Sequence, residues 1–255
     1  MNVYNVQDRA ELAGEQFIGG PVKDFARVGQ HCLEVLKAEG MLKTSRVLDF
    51  GCGSLRAGGW LIEYLEPGNY YGIEPSIDMV KVGMEIFPPE IAERVDDDHF
   101  SSNDAMDMAV FGESFDYVLA RSVWTHASKN QIDKMLGSFA NSTAPEGKLL
   151  ASYRPASIIA TRLQRRFPSI TNLFTTLPLA ELSPVIAKLP LLEGSKAQEY
   201  QGTEWAGISH LDNRPRSINH SLSWISKTAI EHGLDARLVP HEIINNQYWV
   251  RVQSS

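Results

Sequence analysis

Apolar positions along the chain fall into short dense runs separated by longer amphipathic stretches. Arg46-Val47-Leu48-Asp49-Phe50 is such a run, the pattern of a strand buried on both faces. Tyr70-Tyr71-Gly72-Ile73, Phe115 to Ala120 and Lys148 to Tyr153 read the same way. Between these runs, apolar residues recur at helical spacing. Phe25, Val28, Cys32, Val35 and Leu36 predict a helix capped by Asp24, running to about Glu39 and stopped by Gly40. Further helices are expected over Arg56–Leu65 and from a Ser76 cap to about Met84. Ser128 with Gln131 forms a capping box for another, in which Ile132, Met135, Leu136 and Phe139 share one face. Pro145-Glu146-Gly147 predicts a turn into the Lys148 strand. Strands alternating with helices imply a parallel sheet covered on both faces.

The alternation stops after Tyr153. Residues 154–216 carry prolines and short amphipathic pieces and read as a mostly helical insertion. It resumes with a helix from Ser221 to His232, ended by Gly233. Asp235–Ile243 and Gln247–Gln253 around Asn245-Asn246 then predict an antiparallel hairpin. The first 22 residues are polar and glycine-containing and read as a loose arm. The expected division is an arm over 1–24, a core over 25–153 and 217–255, and the insertion as a lid.

Composition narrows the function. A chain of 255 residues with 43% hydrophobic content can bury a sizeable core. The net charge of −7 argues against a broad nucleic-acid face, and the one dense basic group is Arg162, Arg165 and Arg166. Two cysteines, Cys32 and Cys52, cannot make a disulfide framework and read as reduced thiols of a cytoplasmic protein. No signal peptide, membrane span or metal-ligand spacing is read. The expected partner is a small molecule, with homo-oligomerisation left open.

Ligands of an open parallel sheet bind beyond the carboxyl ends of its strands. Asp49-Phe50-Gly51-Cys52-Gly53 stands at the first such end, where two glycines let backbone approach a ligand and the following helix start favours an anion. Glu74, about twenty residues on, suits two ribose hydroxyls, and Asp104-Ala105 an adenine amino group. A dinucleotide fingerprint would carry a third glycine where Arg56 stands. Asp49 would repel a pyrophosphate but attract an ammonium. A nicotinamide cofactor is therefore disfavoured, and S-adenosylmethionine fits.

The run Val47-Leu48-Asp49-Phe50-Gly51-Cys52-Gly53 resembles the first motif of class I S-adenosylmethionine-dependent methyltransferases. Gly72-Ile73-Glu74-Pro75-Ser76 is similar to their second-strand acidic motif, and Asn103-Asp104-Ala105 to their adenine-contacting segment. Phe115 to His126 resembles their fourth strand and following loop, and Ala144 to Leu150 the turn into the fifth, with Glu146 where a glycine is common. The resemblance spans about 25–153 and 217–253. It implies an α/β, Rossmann-like, seven-stranded and mostly parallel sheet of order 3-2-1-4-5-7-6 with an antiparallel last strand. It implies methyl transfer to an O, N or C atom of a small acceptor, with S-adenosylhomocysteine as product; the alternative is a non-catalytic module holding the same ligands. Asp49, Phe50, Gly51, Cys52, Gly53, Arg56, Glu74, Pro75, Asp104, Ala105 and Arg121 are the expected cofactor residues. His126, His210 and Tyr153 are the candidate bases, with His220 behind them. Trp124 and Trp205 are candidates for lining the acceptor pocket.

Overall fold

The computed structural model describes residues 3–13, 22–156 and 218–255. In chain order these form α1 (Val3–Ala13), α2 (Phe25–Ala38), β1 (Val47–Phe50), α3 (Gly58–Tyr64), β2 (Tyr70–Ile73), α4 (Ile77–Ile86), α5 (Pro89–Ala92), β3 (Phe100–Ser101), β4 (Phe115–Ala120), α6 (Lys129–Ser142), β5 (Thr143–Pro155), β6 (Asn219–His220), α7 (Leu222–Glu231), β7 (Leu234–Ile244) and β8 (Gln247–Ser254). The sheet runs β3-β2-β1-β4-β5-β8-β7, and the two-residue β6 adds to the end of β5. With β6 set aside, the order along the main path is the one the resemblance implied. β1 to β5 are parallel neighbours, and β8 lies antiparallel to both β5 and β7.

Alternation along each strand sends side chains to two separate cores. Val47 of β1, Tyr117 and Leu119 of β4, and Leu150 of β5 pack with α1 to α5. Leu48, Phe50, Val118, Leu149 and Ala151 pack with α6 and α7. The apolar face foreseen for α6 is buried, and Ser128 and Gln131 make both bonds of the capping box. The hairpin turn is also as expected: Asn245 and Asn246 both take positive φ, the demand of a tight two-residue turn.

Four local expectations differ from the structure. Residues 3–13, assigned to a loose arm, form α1, because Val6 and Ala10 share a face that the main core buries. Asp24 occupies the cap position of α2 without a side-chain cap bond; Gln7 of α1 accepts the Ala26 N–H instead, at 3.1 Å, and donates to Val22 O at 2.9 Å. A partner distant in sequence thus replaces the local cap. Third, residues 145–147 are no turn. Pairing passes from Phe115↔Thr143 to Tyr117↔Lys148, so two steps on β4 face five on β5, and the surplus bulges outward with Pro145 and Glu146 exposed. β5 also continues through Arg154 and Pro155, residues placed in the insertion by the sequence pattern.

The α2 helix is locked at both ends. At its far end, Glu39 accepts His241 Nε2 at 2.8 Å and Arg251 Nη1 at 3.0 Å, which hold its carboxyl below the usual range, the His241 bond first. Near its start, Gly29 lets the loop after β1 pass over it: a Cβ there would stand 2.0 Å from Arg56 O and 2.5 Å from Trp60 Nε1. Backbone oxygen cannot rotate away as a side chain can. Gly29→Ala is expected to destabilise the protein by about 1–3 kcal/mol, read as a lowered midpoint of urea unfolding with unchanged slope.

Candidate active site

β1 and β2 end side by side, and the chain after β1 folds over both. Gly51 N–H and Cys52 N–H donate to the same carbonyl, Ile73 O, at 2.8 and 3.0 Å. Gly51 and Gly53 sit at φ +73° and +53°, left-handed backbone that glycine adopts without strain. At Gly51 a Cβ would also stand 2.7 Å from Val123 Cγ2, in the loop after β4. Leu55, Met106 and Ser122 take φ of +58°, +63° and +64°, so strained non-glycine backbone gathers in the loops after β1, β3 and β4.

Glu74 closes onto this loop. Its Oε2 accepts Gly53 N–H at 3.1 Å and its Oε1 accepts Ser76 N–H at 2.9 Å. Each oxygen keeps a second acceptor position. Burial pushes the Glu74 carboxyl up, against those two bonds. Asp49 lies beneath, only 2% exposed, and Tyr70 Oη donates to it at 3.1 Å. Burial pushes its pKa up to about 7, opposed by the Tyr70 bond and reinforced by the charge of Glu74. Tyr70 was not singled out from the sequence. The signal is the register: Asp49 pairs with Gly72, and Tyr70, two residues earlier on β2, projects on the same face.

The Cys52 thiol is buried between the two carboxylates, and desolvation pushes it well above its ordinary value. Phe50 points the other way, into the α6–α7 core, while Pro75 is exposed beyond β2. Asp104 and Ala105 are exposed past the end of β3, in a turn where Asn103 Oδ1 accepts the Ala105 N–H at 3.0 Å. The structure therefore gathers Asp49, Gly51, Cys52, Gly53 and Glu74 at two adjacent strand ends, with Asp104 and Ala105 at the third. Asp96, Asp98 and His99 bring ligand-type atoms within 4.8 Å of one another before β3, but the His99 ring is engaged with Tyr71 and Tyr70 O.

The loop after β4 is held by a buried polar network that the sequence did not reveal. Arg121 Nη1 donates to Ser122 Oγ at 3.1 Å, to Ser152 Oγ at 3.0 Å and to Gln247 Oε1. Nη2 reaches Ile244 O at 3.4 Å. Ser152 Oγ also accepts the Ser122 N–H at 2.7 Å, fixing the left-handed residue. Arg121 lies over the Trp249 ring, and Arg56 over the Phe25 ring. Burial lowers the Arg56 pKa to about 10, with the Arg121 charge adding.

His126 is half-buried in this loop, its N–H on Val123 O at 3.0 Å. His220 is fully buried, with Nε2 on Trp124 O at 2.9 Å and Ala127 O at 3.2 Å. Two carbonyl acceptors require the proton on that nitrogen, so His220 staples the loop. Tyr153 is fully buried in the α6–α7 core, its ring 6.5 Å from that of Tyr248. Trp124 is fully buried, its indole N–H on Met135 Sδ. His210, Trp205 and the arginines at 162, 165 and 166 lie outside the described residues.

The family model described as "Methyltransferase domain" matches residues 48–149. No curated protein sequence matches the chain. Among solved structures, magnesium protoporphyrin IX methyltransferase from Synechocystis PCC 6803 with bound SAH superposes at TM-score 0.55 and 18% identity, covering 97% of this chain and 94% of that one. The DhpI–SAH complex superposes at 0.57 and 11% identity, over 99% and 97%. The PH0226 protein from Pyrococcus horikoshii OT3 does so at 0.57 and 19% identity, over 94% and 96%. At these identities the superpositions concern the fold. Residues 48–149 thus match a methyltransferase-domain model, and the chain shares the fold of these solved structures, a magnesium protoporphyrin IX methyltransferase among them.

Proposed function

We propose that the protein transfers a methyl group from S-adenosylmethionine to a nucleophilic O, N or C atom of a small-molecule acceptor. The observation that carries this reading is the pair of carboxylates under one glycine loop, Asp49 and Glu74, at adjacent ends of β1 and β2. The residues suit the cofactor chemically. Glu74 offers two unused acceptor positions at the place of a ribose diol. Asp49 supplies a desolvated negative charge for an ammonium. Asp104 and Ala105, with Phe50, Cys52 and Pro75 as backbone neighbours, frame the adenosine side. Arg56 stands in the loop after β1 for the carboxylate of the amino-acid end. The S-adenosylhomocysteine held by two of the superposable structures agrees with this assignment.

When bound, the cofactor supplies a methyl carried on a sulfonium, already a good leaving group. The chain's own contribution is alignment and exclusion of water. The loop after β4, pinned by Arg121, Ser152, Gln247 and His220, presents one wall of the acceptor site. His126, half-buried in that wall, is the candidate base for an acceptor that must lose a proton, with His210 the other; Tyr153 is fully buried in the α6–α7 core. The insertion leaves and rejoins the core here. Ala156 N–H bonds His220 O at 2.9 Å and Ile218 N–H bonds Thr125 O at 2.7 Å, so segment 157–217 is rooted beside the acceptor wall as a lid would be.

Isothermal calorimetry tests the cofactor. The protein is expected to bind S-adenosylmethionine, and Glu74→Ala to weaken it about a hundredfold or more, from two charged hydrogen bonds at about 1.5 kcal/mol each. Absence of binding, or equal binding by the variant, removes the reading. The pH dependence follows from Asp49. Its pKa near 7 leaves it mostly neutral at about pH 6 and half-ionised at about pH 7, while the α-ammonium it would meet stays charged at both, so affinity rises over that unit by roughly fivefold. Asp49→Asn is expected to bind weakly with no such rise. An identical slope in wild type and variant would show that Asp49 does not meet the ammonium.

A further inference from the structure

The sheet divides the cleft into two halves. β1, β2 and β3 run to one side of the point where strand order reverses, and their ends carry Asp49, Glu74 and Asp104. β4 and β5 run to the other side. On that side lie two arginines. Arg121 follows β4, and its guanidinium rests on Ser152 Oγ of β5 at 3.0 Å. Arg154 is two residues beyond Ser152 on β5, so it projects on the same face, one step nearer the carboxyl edge. The two cations are close enough to repel: after burial, the charge of Arg154 helps hold the Arg121 pKa below its ordinary value.

Among the described residues neither has its charge matched by a carboxylate. Among the described residues the acceptors of Arg121 are neutral: two serine hydroxyls, the Gln247 amide and the Ile244 carbonyl, with the Cys32 thiol also beside it. The Nε atoms of both Arg121 and Arg154 are buried and make no hydrogen bond. Each residue as a whole is part-buried rather than sealed in the core. Gathering like charges in a desolvated recess is costly unless an anion joins them. In a chain of net charge −7, a general basic surface does not explain it.

We propose that Arg121 and Arg154 form an oxyanion-recognition patch on the acceptor half of the cleft, selecting methyl acceptors that carry a carboxylate or phosphoryl group. Arg121 is held rigid by Ser152 and Gln247 and so acts as a preorganised cation, while Arg154, at the root of the insertion, presents the more adaptable one. This rests on the methyltransferase reading. The rival source of the same oxyanion chemistry is the cofactor's own carboxylate.

Inorganic phosphate is the probe, titrated into protein saturated with S-adenosylhomocysteine and followed by 31P line broadening. Saturable binding is expected, weakened about tenfold or more in Arg154→Gln while S-adenosylhomocysteine affinity is kept, since one charged contact is lost. A second arm needs no variant: benzoate is expected to compete with phosphate and benzamide, which matches its shape without the charge, is not. Phosphate binding that disappears when S-adenosylhomocysteine is added assigns the patch to the cofactor carboxylate and overturns the proposal. So does absence of saturable binding, equal binding by Arg154→Gln, or equal competition by benzamide. Failure of S-adenosylhomocysteine itself to bind is a separate result, which removes the methyltransferase reading and the proposal with it.

Discussion

The closure of Glu74 onto the Gly53 and Ser76 amides is the contact on which the rest of the site depends. A carboxylate at a strand end normally seeks water. Here it is buried, and two backbone N–H groups compensate for the lost hydration. In doing so it fixes the loop after β1 against the end of β2 and closes the roof over Asp49. The loop has no room for an alternative, because Gly51 abuts Val123 from one side and Gly29 abuts Arg56 O from beneath. Cleft shape and cleft charge thus come from the same few atoms.

The strand ends carry both signs of charge. Carboxylates lie at the ends of β1 and β2, Arg56 stands in the loop after β1, and Arg121 and Arg154 stand at the ends of β4 and β5. Asp49, Glu74, Arg56 and Arg121 are desolvated, so each exerts a stronger field than it would on the surface. The overall negative charge of the chain says nothing of this arrangement, which is visible only when the strand ends are set side by side.

Much of the scaffold was legible in advance because its signals are local. Dense apolar runs marked β1, β2, β4 and most of β5; the Ser128–Gln131 box marked the start of α6; Asn245-Asn246 marked the hairpin. The misreadings were equally instructive. α1 looks polar in isolation, and only docking of Val6 and Ala10 makes it a helix of the core. The Ala144–Gly147 stretch has the composition of a turn, and pairing with β4 draws it into the sheet as a bulge. Asp24 has the chemistry of a cap, but Gln7 takes that role from another helix.

By itself the sequence determined which residues stand at the strand ends: the glycine pair, the acidic residues at 49 and 74, the Arg121 to His126 stretch after β4. Period and turn chemistry act over a few residues, so they survive in a linear reading. Tertiary structure alone decided what those residues face. Tyr70 on Asp49, Gln247 and Ser152 around Arg121, and His220 under the Trp124 carbonyl join positions from about twenty to more than a hundred apart. Such contacts depend on register and side-chain direction between strands, and no local pattern encodes them.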